Sequence, residues 1–453
     1  MSYTPHTEKD IREMLDFLGY DSVDKLFKDI PAKARFKKER LLSDGMSELE
    51  VTALMKELSA KNKTVDDYIC FMGGGAYDRF IPAAVDHILT RPEFYTAYTP
   101  YQPEVSQGTL QHIYEFQTMV SRIYGMEVAN ASMYDGASAL AEAAIMALHS
   151  SKRKKLLIAS TINPYWVRVV ESYLYGFDIE IQRIGEKNGE TDYDDLKRKL
   201  DDKTAAVLMQ YPNALGIVED LQQARGLITD SKTMFVVMAD PVASVLIKKP
   251  GECGADIVVG EGQQLGIPLS YGGPYLGLFS FRSKYIRQAP GRIIGMTKDT
   301  NQNRGFVMTY QTREQHIRRE KATSNICTNQ GLMTVAAAVY LSLMGKKGLR
   351  EVAEQSHRKA YYLFKALTAL QGIKPAYPNK PFVNEFAVTV ERDAGGLKAF
   401  LKKKHYLPGI LLEHQYPQKK DQLLIAVTEK RTKQEMDAFV RDTEAFLKKG
   451  GRS

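Results

Sequence analysis

Between about residues 130 and 330 the chain alternates short apolar runs with stretches long enough to cross a sheet, and this rhythm restricts the fold more than any other feature. The strand-like runs are Leu156–Ser160, Asp178–Ile184, Ala205–Tyr211, Met234–Asp240, Asp256–Gly260 and Tyr275–Phe281. Several of the stretches between them carry a helical period, among them Tyr193–Leu200 and Leu221–Thr229. Strands spaced by crossovers pair mainly in parallel, with helices on both faces. The expectation is an α/β fold around a mainly parallel central sheet. Ligands in open sheets of this kind sit beyond the carboxyl ends of the strands.

The flanks read differently. Residues 1–70 are polar and helical in pattern. Thr7 stands as a cap before Ile11, Met14, Leu15 and Leu18 at helical spacing, and Ser47–Glu50 opens a second, less regular helix. Gly73, Gly74 and Gly75 break the pattern. Arg91–Gln107 holds three tyrosines and three prolines and reads as an ordered loop. After residue 330, Val335–Met344 and Ser356–Leu370 read as helices, with Phe386–Val390 and Leu423–Val427 as strands of a smaller α+β domain. The expected division is a helical N-terminal segment over 1–90, a large α/β domain over 91–330 and a C-terminal α+β domain over 331–453.

A chain of 453 residues can form more than one core. The net charge is +8, but the basic runs Lys152–Lys155 and Lys402–Lys404 are not interleaved with aromatics as a nucleic-acid platform would be. Nucleic acid is therefore not expected as a partner. Cys70, Cys253 and Cys327 are far apart and form no CxxC pair, so neither a disulfide framework nor a zinc site is expected, and no metal. The N-terminus lacks an apolar signal core and no run approaches the ~20 residues of a membrane span, so a cytoplasmic location is expected.

Three features near the strand ends suggest chemistry. Tyr134–Ala139 opens a helix, where the amides of Gly136, Ala137 and Ser138, with the Ser138 hydroxyl, suit a phosphate. The same residues serve an ordinary N-cap. Asp240 ends an apolar run, where a carboxylate can face a protonated pyridine nitrogen. It reads also as a loop aspartate before Pro241. The third is Gly260–Pro274, after the next strand. These features stand in the order required by enzymes of fold type I that use pyridoxal phosphate (PLP), and a Schiff-base lysine belongs near residue 263. The residue there is Gln263, 23 positions after Asp240. Its amide nitrogen is no nucleophile and cannot form an imine. Lys248, Lys249 and Lys284 are poorly placed to replace it.

Four long stretches carry a resemblance: YTPYQPEVSQGTLQHIYEFQTMV (Tyr98–Val120), ANASMYDGAS (Ala129–Ser138), GIPLSYGGP (Gly266–Pro274) and QTREQHIRREKATSNICT (Gln311–Thr328). By these the chain resembles the glycine cleavage system P-protein family, and within it the alpha, or N-terminal-half, type. The resemblance implies the PLP-dependent transferase fold, type I, without a PLP lysine in this half. Gln263, Asp240, Gly136, Ala137 and Ser138 then mark a degenerate pocket. It further implies a PLP-bearing beta subunit as partner, glycine as the substrate of the complex, and transfer of an aminomethyl group to the lipoyl group of the H protein. Tyr95, Tyr98, Thr99, Tyr101 and Gln102 are the candidates to reach a partner's active site, Thr96 adding a fifth hydroxyl to the loop; the same tyrosines also suit a subunit seam. The segment Arg313–Arg319 suits either a carboxylate, the acidic H protein, or a solvated helix. A self-sufficient PLP enzyme and a scaffold that only docks the lipoyl carrier are the rival readings.

Overall fold

A computed structural model describes residues 6–35 and 45–449. They fall into two compact units, one ending at Lys63 and one beginning at Thr64. In the first, α1 (Glu8–Leu18) and α2 (Glu48–Ser59) each open on a capping box, Thr7 with Asp10 and Ser47 with Glu50. In each box the hydroxyl accepts an N3 amide and the N3 carboxylate accepts the N-cap amide, which satisfies donors a helix start leaves free. Neither helix buries a residue.

The second unit is built on seven strands: β1 (Val128–Ala129), β2 (Lys155–Ala159), β3 (Glu180–Ile184), β4 (Thr204–Tyr211), β5 (Met234–Ala239), β6 (Ile257–Glu261) and β7 (Gly277–Phe281). Their order in the sheet is β1-β7-β6-β5-β4-β2-β3. Every pairing from β6 to β3 is parallel. The connection from β6 to β7 is a loop rather than a crossover helix, and β7 returns antiparallel to β6 and β1. The six expected strands are all present, with ends shifted by two residues or fewer. β1, two residues long, escaped the reading because a strand that short has no period.

Helices α3 (Gln107–Tyr124), α4 (Gly136–Ser151), α5 (Pro164–Leu174), α6 (Tyr193–Lys199) and α7 (Leu221–Leu227) clothe the sheet. Every residue of α4 from Gly136 to Leu148 is buried, as expected of a helix apolar on all sides. The hairpin β8 (Ile293–Lys298) and β9 (Arg304–Thr309) was not anticipated. The two helices expected near 335–370 run together as α8 (Gly331–Thr368), broken at Gly345, where φ is 57°. That angle is in the left-handed region open to glycine.

Beyond α8 a second core forms. Strands β10 (Ile373–Pro375), β11 (Glu385–Val390), β12 (Ile410–Leu411) and β13 (Gln422–Ala426) pair antiparallel in the order β10-β11-β13-β12. With α9 (Ala394–Lys403) and α10 (Lys433–Lys449) they enclose Leu363, Phe386, Val388, Ile425 and Phe439. Among the described residues no helix is long and apolar enough to cross a membrane.

Candidate functional site

The carboxyl ends of β4, β5 and β6 converge on a cleft lined by Gln210, Asn213, Asp240, Glu261, Gln264 and Glu385, with Trp166 and Tyr77 over it. Its free volume is about 30 Å³. Two pairs of the side chains that line it are bonded to each other, Gln264 to Asp240 and Tyr77 to Glu385.

Glu261, the last residue of β6, aims its carboxylate at the start of α4. The Gly136 amide donates to Oε2 at 2.9 Å; the Gln263 and Leu276 amides donate to Oε1 at 2.9 and 3.1 Å. Burial pushes the Glu261 carboxyl up to about 7, although these three donors pull it down. Ser138 takes no part: its amide donates to Asp135 Oδ1 at 2.7 Å, and its hydroxyl donates to the Asp135 carbonyl at 3.0 Å. The hydroxyl expected for an outside anion therefore closes the helix's own capping box. Ala137 is buried within α4.

Gln263 is 2% exposed and engaged at every polar atom of its side chain. Its Oε1 accepts the Tyr77 amide at 2.9 Å, and its Nε2 donates to the carbonyls of Tyr77 at 3.1 Å and Ile267 at 2.8 Å. Asp240 follows the loop reading. Its Oδ1 accepts the amides of Val242 and Ala243, both at 2.8 Å, and its Oδ2 accepts Gln264 Nε2 at 2.7 Å. From Gln264 the chain of bonds continues: Arg79 Nε donates to Gln264 Oε1 at 2.7 Å, and Arg79 Nη1 donates to Glu429 Oε2 at 2.7 Å.

Tyr77, Arg79, Gln264, Glu261, Glu385 and Glu429 were not singled out in the sequence. Glu385, on β11, accepts the Gly74 amide at 2.7 Å and the Tyr77 hydroxyl at 3.1 Å, and burial raises its carboxyl to about 7. Residues so far apart in the chain leave no local pattern. Only Glu261, two positions before Gln263, offered a signal: a carboxylate ending an otherwise apolar strand.

The tyrosine loop forms a separate surface. Tyr95, Tyr98 and Tyr101 are 66%, 85% and 48% exposed, while Pro100 between them is buried. Among the described residues none of these three hydroxyls makes a hydrogen bond. Thr99 is half-buried and Gln102 exposed. Thr96 is not a free donor: its hydroxyl donates to the Pro92 carbonyl at 2.7 Å. The Tyr101 ring meets His316 edge-on at 6.2 Å and the Arg292 guanidinium at 5.8 Å. Arg292 is fixed by donating to the Cys327 carbonyl at 2.7 Å. Phe94, Tyr98, Thr99, His112, Asn329 and Leu332 line a cavity of about 220 Å³ between the loop and the start of α8. Burial pushes His112 down to about 4, so the imidazole in this wall is neutral at pH 7. Of the segment Arg313–Arg319, His316, Arg318 and Arg319 are exposed; the side chain of Arg313 lies outside the described residues.

A mainly parallel seven-stranded sheet, an antiparallel return strand and a smaller antiparallel domain define the fold of the PLP-dependent transferases, type I. The fold is shared with the Lactobacillus brevis glutamate decarboxylase structure, at a TM-score of 0.69 and 12% identity over 93% of this chain and 97% of that one. The profile described as "Glycine cleavage system P-protein" matches residues 1–442, and the chain belongs to that family. A "Probable glycine dehydrogenase (decarboxylating) subunit 1" of Desulforamulus reducens is 49% identical over 437 residues, 96% of this chain and 98% of the relative. The crystal structure of glycine decarboxylase (P-protein) of the glycine cleavage system, in inhibitor-bound form, superposes with a TM-score of 0.89 at 37% identity, over 98% of this chain and 100% of that one.

Proposed function

We propose that the chain is the alpha-type subunit of a two-subunit glycine decarboxylase, that it carries no PLP of its own, and that it works beside a PLP-bearing partner. The observation that carries this reading is Gln263. It stands where the fold requires an imine-forming lysine, it is buried, and its side chain is spent on Tyr77 and Ile267. The remaining residues do not fit the cofactor either: Asp240 is bonded to two amides and Gln264. In the partner, PLP would supply the electron sink that glycine needs to lose carbon dioxide. The lipoyl group of the H protein would accept the aminomethyl group.

This chain's contribution is the loop Tyr95–Gln102. Buried Pro100 pins its centre, Tyr98 and Tyr101 are exposed, and among the described residues their hydroxyls make no hydrogen bond. Held donors stabilise developing negative charge without reorganising. The test uses the reconstituted complex and follows exchange of the glycine carboxyl carbon with bicarbonate. Tyr98→Phe and Tyr101→Phe each remove one hydroxyl and keep the ring. At least one should lower kcat/KM by roughly 10–1000-fold with assembly unchanged, the scale of a lost oxyanion donor. Wild-type rates in both, at normal assembly, would leave the loop as interface packing and favour the scaffold reading.

A further inference from the structure

We infer that the Glu261 carboxyl is the chain's own occupant of the place the fold offers to a cofactor phosphate, and that it closes the pocket to phosphate esters independently of the residue at 263. Three amides from three segments converge on it: Gly136 at the start of α4, Gln263 after β6 and Leu276 before β7. A helix start with an exposed first amide attracts anions through its free N–H groups and its dipole. Here a carboxyl group arrives on the end of a strand. Among the described residues Glu261 has no ion pair, so backbone dipoles alone hold the carboxylate.

Local packing is built for this occupant. A Cβ on Gly136 would lie 3.1 Å from the Glu261 amide nitrogen and 2.7 Å from Met238 Cε, so a side chain there would push against β6. With Glu261 in place all three amides already have an acceptor and none is left to hold a phosphate. Ser138, which could have added a hydroxyl, is turned to Asp135. Loss of the lysine is therefore one of two closures, and this one excludes non-covalent binding as well.

The experiment compares the wild-type chain with E261A and E261Q by calorimetric titration against inorganic phosphate, pyridoxal phosphate and phosphate-free pyridoxal. Wild type and E261Q, whose side chain fills the same space, should take up neither phosphate compound. E261A frees three amides and the space before them, and should bind phosphate and pyridoxal phosphate at least tenfold more tightly than wild type, with pyridoxal unchanged. Phosphate should also raise the thermal midpoint of E261A and leave that of wild type unmoved. A folded E261A that binds no better than wild type overturns the inference. Should E261A fail to fold, a wild-type crystal soaked in phosphate decides: the carboxylate on the three amides sustains the inference, and phosphate in its place overturns it. The readouts do not involve activity. An open anion site would therefore sink this inference and leave the tyrosine-loop proposal standing.

Discussion

Glu142, Glu261 and Glu385 are buried carboxyls whose range is pushed up to about 7, by burial in each case, and none forms an ion pair among the described residues. Glu385 gives the cleanest test of what this costs. Its environment is one amide, the Tyr77 hydroxyl and, near by, the Asp240 carboxylate, which raises it further. A folded-state value above the unfolded one, near 4.5, means the native chain binds the proton more tightly. Stability from this group is then greatest below about pH 4.5 and is lost as pH rises to about 7. Separation on this scale corresponds to about 3 kcal/mol. Urea unfolding of wild type and Glu385→Gln at pH 5 and pH 8 should show a wild-type loss of stability larger than the mutant's by about that amount. Identical losses in the two proteins would mean that Glu385 titrates as an ordinary carboxylate.

At the scale of elements, the seam between α3, β5 and β6 is tight enough to be tested with one methyl group. The Tyr124 hydroxyl, at the end of α3, donates to the Ala239 carbonyl of β5 at 2.9 Å. A Cβ on Gly260 of β6 would overlap that hydroxyl and lie 2.5 Å from the Ala239 carbonyl oxygen. Gly260→Ala should cost about 2–3 kcal/mol by overpacking, and Tyr124→Phe about 1–2 kcal/mol by leaving a buried acceptor unpaired. The double mutant should cost less than the sum, because the hydroxyl that clashes is gone. Strict additivity in denaturant unfolding would place the whole clash on the carbonyl. The strands of this seam were legible as apolar runs because both faces of a parallel sheet are buried. Nothing in the runs foretold the glycine's role, because the atoms it must avoid lie in other elements. The hairpin β8–β9 was missed for a related reason: Met296, Lys298 and Arg304 face solvent, so its pattern is mixed. At the pocket, the residue type at 263 was enough to exclude imine chemistry. Glu261 offered a signal as a carboxylate ending an apolar strand, but its seat was not legible, since it depends on a strand end meeting a helix start more than a hundred residues earlier.

At the scale of the whole molecule, a PLP site is a joint property of many elements, and this chain has reassigned several of them. Replacing Gln263 with lysine would restore the nucleophile and nothing else. The Glu261 carboxylate would still hold the three amides, Asp240 would still be bonded to Gln264, and the cleft would still measure about 30 Å³. The change would also withdraw the acceptor from the Tyr77 amide and the donor from the Ile267 carbonyl, both buried. Catalysis requires ring, phosphate and substrate to be placed together within fractions of an ångström. Gln263→Lys should therefore give no exchange of glycine carboxyl carbon with bicarbonate when the chain is assayed alone with added PLP, and borohydride should fix no cofactor to the introduced side chain. It should also lower stability by about 1–3 kcal/mol through the unpaired backbone groups. The wild-type chain assayed alone should be equally inactive, and both should gain exchange activity when the PLP-bearing partner is added. Robust turnover by the single mutant without partner would show that the pocket is still shaped for the cofactor, and would overturn the division of labour proposed for the two subunits.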